Sequence, residues 1–174
     1  MSDVLFIQRE DLIRYTLIGG NVDTDKIIPH IKVAQDIHIL PILGTKLYEK
    51  LQSDISGSTL AGNYSTLLTD FVQPCLIHLA AAEFYQFHAY EVSNAGVFRH
   101  QSENATTPSI DELQALITKQ TDVGDHYKRR LGDHPDYYPS RFPEYPAAAA
   151  GRIHPNHSRL SKHSVILYGQ HPPI

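Results

Sequence analysis

Cysteine is almost missing from this sequence. Cys75 stands alone among 174 residues, so no disulfide can form within the chain, the fold must be stable without one, and a reducing compartment suits it best. A basic excess is missing too. Fifteen Lys and Arg stand against nineteen Asp and Glu, a formal net charge of -4, which argues against a protein that coats nucleic acid and leaves room only for local contact. Long apolar runs are absent: the most apolar one, residues 75–82, is interrupted by His78 and falls far short of the ~20 residues a bilayer span needs. The start, MSDVLFIQRED, is acidic and too poor in apolar residues for a signal peptide. The expectation is a protein that stays where it is made and has no membrane role. Phosphate-cradling glycine loops are also lacking, since Gly19-Gly20 runs into Asn-Val-Asp with neither Lys-Ser nor GxGxxG spacing. Asp23, Thr24 and Asp25 lack the later glycine and glutamate that a calcium loop requires.

What is present describes a helical protein. Hydrophobic residues make up 41% and charged residues 20%, enough for one folded domain plus an extension. A first short helix is read over residues 8–17, with Gly19-Gly20 as its stop through positive φ. Thr24 and Asp25 offer capping oxygens ahead of an amphipathic helix reaching about Leu40, in which Ile27, Ile31 and Ala34 share one face and Lys32 and Asp36 the other. Pro29 fits that helix only if it lies in the first turn. After the break at Pro41 and Gly44, Leu47 and Leu51 give a helix over about 45–54, and residues 56–63 read as a loop. Residues 64–90 are apolar nearly all round, the mark of a central helix, and Pro74 is expected to kink or divide it. Residues 93–108 read as a surface loop. Ser109 and Glu112 form a capping box opening a helix over 109–131.

Beyond Gly132 the character changes. Seven of the eleven prolines fall there and no periodicity persists, apart from a possible strand over 165–168. Proline favours extended structure that must lie on another surface to be ordered. The fold expected is therefore mainly α: a small bundle of four to five helices over residues 1–131, with an extended proline-rich arm over 132–174. The arm has no Asp or Glu after Glu144 but keeps Arg152, Arg159 and Lys162, so docking on an acidic surface or near DNA stands beside a merely solvated terminus. Tyr137, Tyr138, Phe142 and Tyr145, set between prolines, favour docking, because aromatics are enriched at interfaces.

Little else in the chain suggests chemistry. His154, His157, His163 and His171 cluster in the arm without cysteine partners or helical spacing, so a polar tail is the better reading than a zinc site. His78 and His88 read as satisfied helix residues, and Glu83 as a structural partner sooner than a general base. No nucleophile, base and orienting group can be assembled, so neither catalysis nor a cofactor is expected.

The run LIRYTLIGGNVDTDKIIPHIKVAQDIHILPILGTKLYEKL, residues 12–51, resembles the amino-terminal part of tailed-phage head-to-tail connector proteins, also called adaptor or head-completion proteins, and looks most like the version in crAss-like phages and Bacteroidetes prophages. Gly20 to Asp23, Ala34 to Asp36 and Leu43 to Tyr48 carry the resemblance. It implies a non-enzymatic virion protein at the portal vertex, forming a ring, commonly of twelve copies. Such a ring sits beneath the portal, extends the DNA channel without sequence-specific binding, and presents a surface to neck or tail proteins. A small helical regulator whose basic tail contacts nucleic acid is the alternative, and a metal-dependent enzyme using the tail histidines a weaker third reading.

Overall fold

The computed structural model describes residues 4–88, 90–93, 96–99, 109–137 and 139–145. Among them are six α-helices: α1 (Arg9–Tyr15), α2 (Thr24–Ala34), α3 (Leu40–Ser56), α4 (Gly62–Leu67), α5 (Gln73–His88) and α6 (Ile110–Tyr137). Strands β1 (Tyr90–Ser93) and β2 (Gly96–Arg99) pair antiparallel, from Tyr90 opposite Arg99 to Ser93 opposite Gly96. The fold is thus a small helical bundle, with a hairpin where a loop is expected from the polar composition. The arm beyond Tyr145, including the expected strand at 165–168, lies outside the described residues.

The centre is α5. Leu76, Ala80, Leu79, Ala81 and Phe84 are all buried, and three consecutive alanines let neighbours approach closely while each large aliphatic side chain removed from water contributes ~1.5–3 kcal/mol. Helix α6 runs antiparallel along it. Phe71 stacks on His134, Cys75 Sγ meets the Gly124 carbonyl, and His78 Nδ1 lies 2.8 Å from Gln120 Oε1. The crossing is close because Gly124 has no side chain; a Cβ there would stand 2.6 Å from Leu79 Cγ. Helix α2 covers another side of α5 through Ile27, Ile31 and Ala34.

Prolines shape the bundle without ending its helices. Leu40 N–H bonds the carbonyl of Gln35, and Gln73 N–H that of Leu68, five residues back in each case, closing π turns over Gln35–Ile39 and Leu68–Val72. Pro41 and Pro74 follow directly. A proline lacks its own N–H and pushes away the carbonyl four residues earlier, and a wider turn just before it relieves that clash. The expected division at Pro74 is therefore absorbed: α4, a π turn and α5 run on from Gly62 to His88. Pro29 lies inside α2, beyond the first turn, because the helix starts at Thr24. Asp23 caps that helix by position, with no side-chain bond.

Two readings are corrected. Helix α1 ends at Tyr15, where Thr16 turns extended and its Oγ1 bonds the Leu12 carbonyl, so Gly19-Gly20 is not its stop. Among the described residues the glycines with positive φ are Gly44 and Gly62. Gly44, at φ 72 and ψ 159, occupies a region nearly closed to other residues and bends α3 after its first turn. The helix expected to stop at 131 continues through Gly132 to Tyr137. Its last turns bury Leu131 and stack His134 on Phe71, so leaving the helix earlier would forfeit that packing.

Candidate assembly surface

The sequence placed the interaction residues in the arm, and the structure divides them. Tyr137 closes α6; Tyr138, Arg152, Arg159 and Lys162 lie outside the described residues, as do His154, His157, His163 and His171. Phe142 is corrected: it is 1% exposed, set edge-on to Tyr64 and His134, and belongs to the chain's own core. Tyr145 packs against the same core. An extended stretch needs a surface to lie on, and as far as Tyr145 that surface is the chain's own bundle.

The exit of the arm is held by a run of polar contacts. Tyr64 donates to Glu144 Oε2 at 2.6 Å, Lys50 Nζ stands 5.0 Å over the Tyr64 ring, and Lys50 reaches Asp54 at 2.5 Å. Asp54 also accepts from Thr59 Oγ1. Burial and the Glu144 carboxylate push the Tyr64 phenol up to about 12, while the bond from Lys50 holds the Asp54 carboxyl below its ordinary range. Beside Asp54 opens a cleft of about 490 Å³, walled by Leu5, Ile7, Ile55, Leu60 and Leu68, with Glu10 and Asp11 at its edge.

Elsewhere on the bundle several large apolar side chains are exposed. Ile37 and Phe87 are 56% and 57% exposed, and Val33, Ile110, Leu17 and Ile28 are open as well. Val33 and Ile37 stand one turn apart, and His30, a turn before Val33, stacks on Phe87 with ring centroids 5.6 Å apart. Leu17 is brought there by its N–H bond to Tyr85. Burial lowers the His30 pKa against a smaller opposing pull from Glu83, which favours the neutral ring, and the ring links α2 to Phe87 on α5. A row of large apolar side chains held on rigid helices suits a partner surface.

Residues of the phage resemblance take part in a buried polar hub. Gln35 is fully buried and accepts from Phe6 N–H at 2.8 Å through Oε1, while its Nε2 donates to the Val4 carbonyl and the Tyr48 hydroxyl. Tyr48 donates onward to Asp36. Gln52 and Gln73 donate to the carbonyls of Val4 and Phe6. Residues 4–7 are therefore laced to three helical segments by side-chain amides, a polar hub that periodicity could not announce.

Of the other titratable groups, His38 lies 3.7 Å from Glu83, its pKa lowered by burial and by Lys128 against the pull of Glu83 and Asp125. His78 bonds Gln120 and stacks on Tyr127, and His88 stacks on Phe84. Burial raises the Cys75 thiol to about 12, which leaves it protonated and inert. Among the described residues no three His, Cys, Asp or Glu side chains converge to hold a metal, and no helix is long and apolar enough to cross a membrane.

A family model described as a family of unknown function, DUF6712, matches residues 39–154. The chain belongs to that family. The DUF6712 match runs from the end of the first π turn through α6 and past Tyr145, so it takes in the exit of the arm along with the central helices; most of the run that resembles phage connectors precedes it. No curated protein and no solved structure matches the chain.

Proposed function

We propose that the chain is a structural, non-enzymatic subunit of a tailed-phage head-to-tail connector. It closes with copies of itself, commonly twelve, into a ring below the portal, extends the channel through which DNA passes, and docks neck or tail proteins. The observation that carries this reading is the set of exposed apolar side chains Val33, Ile37 and Phe87, the last stacked on the half-buried His30; Val33 and Ile37 flank the Ala34 to Asp36 motif of the stretch resembling connector proteins. A ring subunit needs two different faces that meet head to tail. The bundle has a candidate for each, an apolar patch around Phe87 and a second patch around Tyr64 and the cleft.

Electron microscopy of the portal vertex in purified virions tests this, with a ring of this chain next to the portal as the expected result. Absence of the chain from the particles would reject the reading. A purified monomer that binds duplex DNA with a steep salt dependence would favour the nucleic-acid-contacting regulator instead.

A further inference from the structure

The cleft beside Asp54 opens against the core, with Phe6, Ile7 and Leu68 among its lining. Its walls are largely apolar, with Leu5, Ile55 and Leu60 only partly covered, and its lining includes three carboxylates, Glu10 at 3.7 Å from Arg9, Asp54 paired with Lys50, and Asp11, which has no cation beside it among the ion pairs of the described residues. Its volume, about 490 Å³, falls in the range of ligand-binding clefts, ~300–1,000 Å³.

The chain carries a segment of matching chemistry. Residues 1–145 hold 12 Lys and Arg against 19 Asp and Glu, net -7, whereas residues 146–174 hold three and none, net +3. Within that segment Arg159 and Lys162 bracket Leu160, so an apolar side chain is flanked by two cations, as the apolar wall is flanked by carboxylates. Placement agrees with charge. Glu144 is bonded to Tyr64, Tyr64 lies under Lys50, and Lys50 holds Asp54 on the cleft wall, so the chain passes Tyr145 close to the rim. The 14 residues from Tyr145 to Arg159 span up to ~50 Å when extended, and a tethered segment meets a nearby cleft at high effective concentration.

We propose that this cleft is the receptor for the chain's own basic carboxy-terminal segment, residues 146–174, seated by Leu160 on the apolar wall and by Arg159 and Lys162 at the acidic rim. Exchange of the segment between copies would make it the strap of the ring, and that use rests on the connector reading; the receptor itself does not.

Carbodiimide cross-linking of the full-length chain, read by mass spectrometry on a mixture of ¹⁴N and ¹⁵N copies, tests both. Lys162 is the only amine in the segment. The expected result is that it joins Glu10, Asp11 or Asp54, and that the yield to Asp11 falls about fivefold in Glu10→Lys, the size expected of an exposed ion pair. Leu160→Asp should lower the yield further, and it alters the segment without touching the bundle. Lys162 cross-links spread evenly over the α6 acids Asp122, Asp125 and Asp133, or yields unchanged in both variants, would overturn the proposal. Mixed-isotope products would support the strap as well; products confined to single copies would keep the receptor and count against exchange in the ring.

Discussion

Residues 4–7 and helix α6 are both held against the same core, by opposite means. The amino-terminal stretch has no periodic partner and is fixed by amides: Gln35, Gln52 and Gln73 take the bonds a neighbouring strand would supply. Helix α6 is fixed by shape, through Gly124 against Leu79, Leu131 in the core, and rings stacked from Tyr127 to Phe142. A buried polar network is costly to leave half made, whereas an apolar seam degrades in proportion to the volume it loses or gains. One joint should therefore fail sharply and the other by degrees.

Gln35→Ala gives the largest effect. It strands the buried Phe6 N–H and leaves the Val4 carbonyl to Gln52 alone, and at ~1–3 kcal/mol for the unsatisfied group plus a cavity the loss should reach roughly 2–4 kcal/mol in urea unfolding. A loss under ~1 kcal/mol would mean the hub is incidental and the amino-terminal stretch is held by Phe6 and Ile7 alone.

Two glycines of α6 make the opposite joint testable with one kind of substitution. Gly124→Ala drives a methyl into Leu79 and should destabilise by ~1–3 kcal/mol. Gly132→Ala meets nothing within 4 Å and should stabilise by ~0.5–1 kcal/mol, the difference in helix propensity. Equal effects at the two sites would show that α6 is not seated by close approach.

How far these joints were legible follows from their physics. Helix α5 could be read because apolar residues on every side have one explanation, and the start of α6 because Ser109 and Glu112 name their own partners. The same signals gave the small bundle. Pro41 and Pro74 looked like breaks, since a sequence does not reveal the π turns that absorb them. Phe142 looked like a free aromatic among prolines, since only the turn of the chain after α6 brings it to Tyr64. The Gln35 hub was invisible in principle: glutamine carries no periodic signal, and its partners are the Tyr48 hydroxyl and backbone groups up to 31 residues away. Of the candidate surface, the Ala34 to Asp36 motif stood in the sequence, the cations of the arm lie outside the described residues, and the exposed apolar side chains needed the fold to bring Phe87 to His30.

A pH experiment separates the buried histidines from the hub's amides, which carry no titratable proton. His30, His38 and His134 all have pKa values lowered chiefly by burial; Glu83 pulls back on the first two, Asp125 on His38 and Asp70 on His134, while Lys128 and Arg141 reinforce the shift on His38 and His134. With folded values below the unfolded ~6.5, the unfolded chain takes up protons first as pH falls. Their contribution is thus complete above about pH 6.5 and is lost as pH falls through the folded values. Tm should drop by about 2–4 °C from pH 7.5 to pH 5.5, and His38→Gln should flatten part of that slope. An unchanged Tm would show that these rings are solvated in the folded chain.

The smallest effect belongs at the exposed start of α6. Ser109 Oγ accepts from Glu112 N–H at 3.2 Å, and Glu112 Oε2 accepts from Ser109 N–H at 2.7 Å, so each side chain satisfies a donor that the first turn leaves without a helical partner. The same bonds hold the Glu112 carboxyl below its ordinary range. Ser109→Ala removes both bonds of the hydroxyl, the one accepted from Glu112 N–H and the one donated to Glu112 Oε2, and keeps that from Ser109 N–H; it should cost ~0.5–1 kcal/mol, a shift in Tm of about 2 °C. Because Ile110 stands on that turn and is exposed, the loss should be confined to fraying there, with faster amide exchange over residues 110–113 and unchanged protection around Gly124. If exchange instead rises along the whole helix, the seam against α5 depends on its first turn, and the separation drawn between a joint that fails sharply and one that yields by degrees does not hold for α6.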